Sequence, residues 1–88
     1  MISGDVTLRV GLADEADGAS IRRLAALDGS PPPQGLVAIA DLGGEPVAAV
    51  GFADGHAVAD PERSSSEILG LLQLHRLALR AIVAVWGV

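Results

Sequence analysis

The sequence has no cysteine, no lysine and no tyrosine, and Phe52 and Trp86 are its only aromatic residues. Without thiols, disulfides, thiolate catalysis and cysteine-based metal sites are excluded. Without lysine, the basic side chains are six arginines (Arg9, Arg22, Arg23, Arg63, Arg76 and Arg80) set against eleven carboxylates. They form no basic stripe, and with a net charge of −5 no nucleic-acid partner is expected. With so few aromatic fillers the interior must be built from Ala, Val and Leu, which suits closely spaced layers better than a roomy ligand pocket. The opening stretch MISGDVTLRV has neither the charged nor the apolar region of a signal peptide, so a cytoplasmic protein is expected. No membrane span is expected either. The apolar tail Ala81–Val88 is eight residues long and follows Arg76 and Arg80, whereas a helical span needs about 20 largely uncharged residues.

What is present is a framework of strands and turns. All 88 residues make one small domain, 1–88, able to bury roughly 60–65% of the surface of its unfolded chain. Its centre is Gly35–Asp60. Two apolar runs, Leu36–Ala40 and Val47–Phe52, flank Gly43-Gly44-Glu45-Pro46, and Asp54-Gly55 leads into a third run, Ala57–Ala59. Gly-Gly and Asp-Gly reach the positive backbone angles of tight hairpin turns at little steric cost, so a three-stranded antiparallel meander is predicted. Before it, Val6, Leu8, Val10 and Leu12 alternate with Thr7, Arg9 and Gly11, the period of a strand with one buried face.

Two helices flank the meander in sequence. Asp14 is the expected N-cap of the first, with Glu15 and Asp17 at the positive end of its dipole and Ile21, Leu24, Ala25 and Leu27 on the buried side. Asp28-Gly29 ends it, and Pro31-Pro32-Pro33 forms an extended connector of roughly 10 Å. Ser64 and Glu67 fit a capping box for the second helix, predicted from Ile68 to about Val85. Spaced 100° apart, its residues give a narrow polar stripe of Ser66, Gln73, Arg76 and Arg80. Opposite lies an apolar face, including Leu71, Leu72, Leu79, Ile82 and Trp86, wider than a small Ala-rich sheet requires. The expected class is α+β, an antiparallel sheet of about four strands with two main helices in the order β-α-β-β-β-α.

That order resembles the N-terminal half of the GNAT acetyltransferase fold over about residues 6–60. The stretch Leu8-Arg9-Val10-Gly11-Leu12-Ala13-Asp14-Glu15-Ala16-Asp17, followed by Ile21-Arg22-Arg23-Leu24, looks like the family's opening strand and acidic turn into its first helix. Leu36-Val37-Ala38-Ile39-Ala40 and Gly44-Glu45-Pro46-Val47-Ala48-Ala49-Val50-Gly51 look like its second and third strands, with a G-x-x-V turn before the third. The departure is as informative. In the family the fourth strand leads into an Arg/Gln-x-x-Gly-x-Gly/Ala loop that cradles the acetyl-CoA pyrophosphate. With Arg63 at its first position, Ser66 and Ile68 stand where the glycines belong, and a β-branched Ile blocks the close backbone approach. No counterpart of the fifth strand and C-terminal half follows. The resemblance thus implies half of a GNAT-like domain and argues against a working acetyltransferase.

Individual residues add little chemistry. His75, with Leu71 and Leu79 one turn away, could carry a proton or switch an interface. Having no identifiable carboxylate or nucleophile, it reads more simply as a core or interface histidine. His56 after Asp54-Gly55 reads as a turn residue, and the two histidines lack metal-ligand spacing. Ser64-Ser65-Ser66 could bind an anion at a helix N-terminus, but serines are ordinary caps. Asp14, Glu15 and Asp17 are explained by the helix dipole. No catalytic, cofactor-binding or metal residue is therefore assigned and no cofactor is expected.

The resulting expectation is a non-catalytic GNAT-like module. It would form a homodimer, or bind a partner protein, through its open sheet edge and Leu71, Leu72, His75, Leu79, Ile82 and Trp86. The alternative is acyl-CoA binding or N-acetyltransferase activity assembled across a dimer or with a partner chain. Membrane-surface binding by the second helix is disfavoured because such helices are usually rich in Lys and Arg on their polar face.

Overall fold

The computed structural model describes residues 6–86, in the order β1 (Val6–Leu12), α1 (Gly18–Asp28), β2 (Leu36–Leu42), β3 (Glu45–Gly51), β4 (Ala57–Ala59) and α2 (Ser66–Trp86). The expected α+β class and β-α-β-β-β-α order are both present. The start of the N-terminal stretch and the last two residues of the apolar tail lie outside the described residues. The strands form one antiparallel sheet in the order β1-β2-β3-β4. Gly43 and Gly44 alone join β2 to β3, at φ 61° and 86°. Positive φ at both centres is what a type I′ hairpin demands, and its twist matches that of the strands.

β2 and β3 read as almost unbroken apolar runs because both of their faces are covered. Val37 and Ile39 of β2 pack with Ala49, Val58 and the α1 residues Ile21, Leu24 and Ala25. Ala38 and Ala40 point the other way, to Val47, Ala48 and Val50 and to Ile68 and Leu72 of α2. The sheet is thus the middle of three layers. Ala40 pairs with Ala48 but Asp41 pairs with Pro46, so Val47 is an extra residue in β3. That bulge places Val47 and Ala48 together in the α2-side core, and it accommodates a proline that cannot donate to a ladder.

Gly29, at φ 77°, ends α1 and donates its N–H to Ala25 O at 2.9 Å, the left-handed cap expected of Asp28-Gly29. The other end differs from expectation. Residues 13–17 form successive turns, and α1 starts only at Gly18. Asp14 does not cap it: its carboxylate accepts the Gly35 N–H at 3.1 Å, tying this turn to the start of β2. Asp17 occupies the cap position but makes no capping hydrogen bond, because its carboxylate is drawn to Arg9. Leu27, expected on the buried side, is exposed. In α2 the cap is Ser65, not Ser64, with Ser65 Oγ accepting the Ile68 N–H at 3.2 Å.

β1 also departs from its pattern. Its apolar residues do share the face towards α2, and Val6 and Leu8 pack against that core, yet Val10 and Leu12 are exposed, as is Leu36 opposite Leu12. α2 lies over β2 and β3 and meets β1 only at its fringe. One helix does not cover four strands.

Candidate functional site

α2 is positioned by its polar residues. Near its N-terminus Arg63 donates to Glu45 Oε1 at 2.9 Å and to Leu42 O at 3.4 Å. Further along, Arg76 Nε donates to Phe52 O at 3.0 Å and Gly51 O at 3.2 Å, and Arg80 Nη1 donates to Ala53 O at 2.9 Å and Phe52 O at 3.2 Å. Gln73 adds a bond of 3.4 Å to Gly55 O. The turn between β3 and β4 has carbonyls that no strand satisfies, and the fork of a guanidinium can take two or three at once. Gln73, Arg76 and Arg80 of the polar stripe are therefore turned towards the protomer's own β3–β4 turn.

With the stripe held there and Ile68 and Leu72 on the sheet, the remaining circumference of α2 faces outward, and it is apolar. Exposure of its large side chains runs from 44% at Leu71 through 65% at Leu74 to 83% at Trp86. Leu77, Ile82, Val83 and Val85 are exposed too, with Gly70, Ala78, Ala81 and Ala84 between them. A contiguous apolar surface of this extent marks an interaction site. Taken whole, α2 is also long and apolar enough, by length and composition only, to cross a membrane: 21 residues with a mean hydropathy of 1.6 over its best window.

The six expected interface residues fall into three groups. Leu71, Ile82 and Trp86 are exposed; His75 and Leu79 are half-buried; Leu72 is fully enclosed in the core, where a partner would not reach it. Leu74, Leu77, Val83 and Val85, with Val10, Leu12 and Leu36 on the sheet, complete the free surface and were not among the residues expected there. Their signal was the placing of Arg76 and Arg80, which fixes the outward face once both are seen as ligands of a turn.

The other candidates are accounted for structurally. His56 Nε2 donates to Pro31 O at 2.8 Å and its N–H binds Asp54 Oδ1 at 2.9 Å, so the ring pins the proline connector to the β3–β4 turn. These segments line an open cleft of about 730 Å³. Arg9 Nε contacts Asp41 Oδ2 at 2.6 Å and Arg9 Nη2 contacts Asp17 Oδ1 at 3.2 Å, joining β1, β2 and the start of α1. The Asp41 hydrogen bond foremost, against some desolvation, raises the Arg9 pKa above its ordinary value. Among the described residues no three His, Asp or Glu side chains converge as metal ligands would. His75 is half-buried on α2, one turn from Leu71 and Leu79.

No protein-family model matches the chain, nor does any curated protein or solved structure.

Proposed function

We propose that this chain is a non-catalytic, GNAT-like half-domain that works as an interaction module and associates with itself through α2. One observation carries this: the outward circumference of α2 from Gly70 to Trp86 is apolar and exposed, while its polar stripe is engaged inside the protomer. The element order and the Gly43-Gly44 turn that leads into β3 ahead of Val47 support the half-GNAT architecture. The non-catalytic character is supported by Ile68, whose side chain fills the core where the pyrophosphate loop would need a glycine, and by Arg63, held by Glu45 and Leu42 O.

Association with a protein surface is favoured over insertion in lipid. Interfacial helices keep cations free on their polar face for headgroups, whereas Arg76 and Arg80 are bound to turn carbonyls and would have to give them up. Of the two sheet edges, β4 has only three residues, so the helix face rather than that edge provides the surface.

Light scattering coupled to size exclusion tests the proposal, with and without acetyl-CoA and with liposomes present. A mass near twice 8.9 kDa, indifferent to the cofactor and to lipid, is expected. Leu77→Glu, at an exposed position, should reduce it to the monomer without loss of helix content. A monomer at every concentration, flotation with the vesicles, or assembly only with acetyl-CoA would each overturn it.

A further inference from the structure

We infer that α2 packs antiparallel against the α2 of a second copy of this chain, the bulky half of one helix on the small half of the other, about a two-fold axis level with residue 79. The inference rests on the self-association proposed above and specifies its geometry.

Gly70, Leu74, Leu77, Ala81 and Ala84 succeed one another at steps of four, three, four and three, and all five are exposed. Alternating steps of four and three average 3.5 residues, the spacing of a coiled-coil seam, so these side chains make one nearly straight line along the outer surface of α2. Size along that line is segregated. Leu74 and Leu77 occupy the first half, and Ala81 and Ala84 the second. If a second α2 ran parallel, leucines would stack on leucines at one end and alanines on alanines at the other, and the helices would splay. If it runs antiparallel about level 79, Leu77 meets Ala81 of the second copy and Leu74 meets its Ala84. Every layer then holds one large and one small side chain, which allows even, close packing. The same operation applies to both copies, as a closed two-fold dimer requires.

The flanks agree with this placement. On one side Leu71 and Val85 come together across the pair. On the other stand Gln73 and Arg80, whose side chains reach towards the β3–β4 turn of their own protomer and so stand beside the seam rather than in it. On and beside that line Leu71, Leu74, Leu77 and Val85 are all exposed and free to be buried by the second helix. α2 is also longer than the sheet beneath it, at about 31 Å against about 23 Å for a seven-residue strand. Its last turns overhang the sheet, where a second helix can cover them.

The absence of cysteine makes the geometry directly testable. Ala84→Cys and Leu74→Cys, both at exposed positions, are purified separately, mixed, oxidised and run without reductant, with the solution mass measured in parallel. The mixture should give a covalent dimer containing one chain of each kind, while Ala84→Cys alone should give none. A particle of twice the monomer mass in which Ala84→Cys links to itself, or in which neither link forms, would overturn the antiparallel pairing and leave self-association standing. A monomeric mass for the unsubstituted chain would overturn both.

Discussion

Arg9 shows how much a single side chain can organise in so small a protein. It ties β1 to the buried Asp41 of β2 and to Asp17 at the start of α1, whereas Arg63 binds a largely exposed Glu45. Removing a partner from a part-buried pair strands its carboxylates, while exposed pairs contribute little. Arg9→Ala should therefore cost about 1–3 kcal/mol, and Arg63→Ala less than about 1 kcal/mol, in urea unfolding. The pKa of Arg9 is raised, so its contribution is intact below the ordinary arginine value and is lost only as pH climbs through the raised one. The Arg9→Ala penalty should not change between about pH 6 and pH 9. Gly11 gives a second check. A Cβ there would collide with the Asp17 carboxylate and with Ile39, so Gly11→Ala should destabilise by about 1–3 kcal/mol and weaken the Arg9–Asp17 contact. None of this was legible in the sequence. In the sequence Asp14 reads as the cap and Glu15 and Asp17 as dipole partners; that Asp14 instead finds the Gly35 amide and Asp17 finds Arg9 depends on turns that bring distant segments together.

The strands were legible and the orientation of α2 was not. Period-two alternation, the Gly-Gly turn and the Asp28-Gly29 stop are local signals, answered by local geometry: the hairpin and the αL cap form where they stand. Angular patterning, by contrast, gives the width of the apolar face of α2 but not which part of it meets the sheet. An amphipathic helix is expected to turn its polar side to water, and here carbonyls without strand partners compete with water for Arg76 and Arg80. Replacing both with Met keeps the helix propensity and removes these bonds. Amide exchange in the second half of α2 should then accelerate at least about tenfold, whereas amides near Ile68 and Leu72, anchored in the core, keep their protection. Equal acceleration along the helix would show that the arginines do not set its docking.

At the scale of the molecule, two chains that each carry −5 repel one another, while the surface proposed to join them is uncharged. Added salt screens the repulsion and has no interfacial ion pair to weaken, so self-association should tighten from low salt to about 0.5 M NaCl, as sedimentation would measure. The strand order has a consequence in time. β1, β2, β3 and β4 lie side by side in the order of synthesis; β2–β3 and β3–β4 close short turns, and only β1–β2 has to span α1 and the proline connector. Chains with such neighbouring pairings fold quickly, roughly on the millisecond scale for mixed α and β domains. The protomer should thus reach its three-layer form in a first-order phase whose rate ignores concentration. The meeting of two finished helices should follow as a separate second-order phase, its rate rising in proportion to protein. In stopped-flow refolding the far-ultraviolet signal would report the first phase, and energy transfer between labelled copies the second. A freshly made chain would pass through a brief interval as a folded monomer, its apolar helix uncovered, before it found its twin.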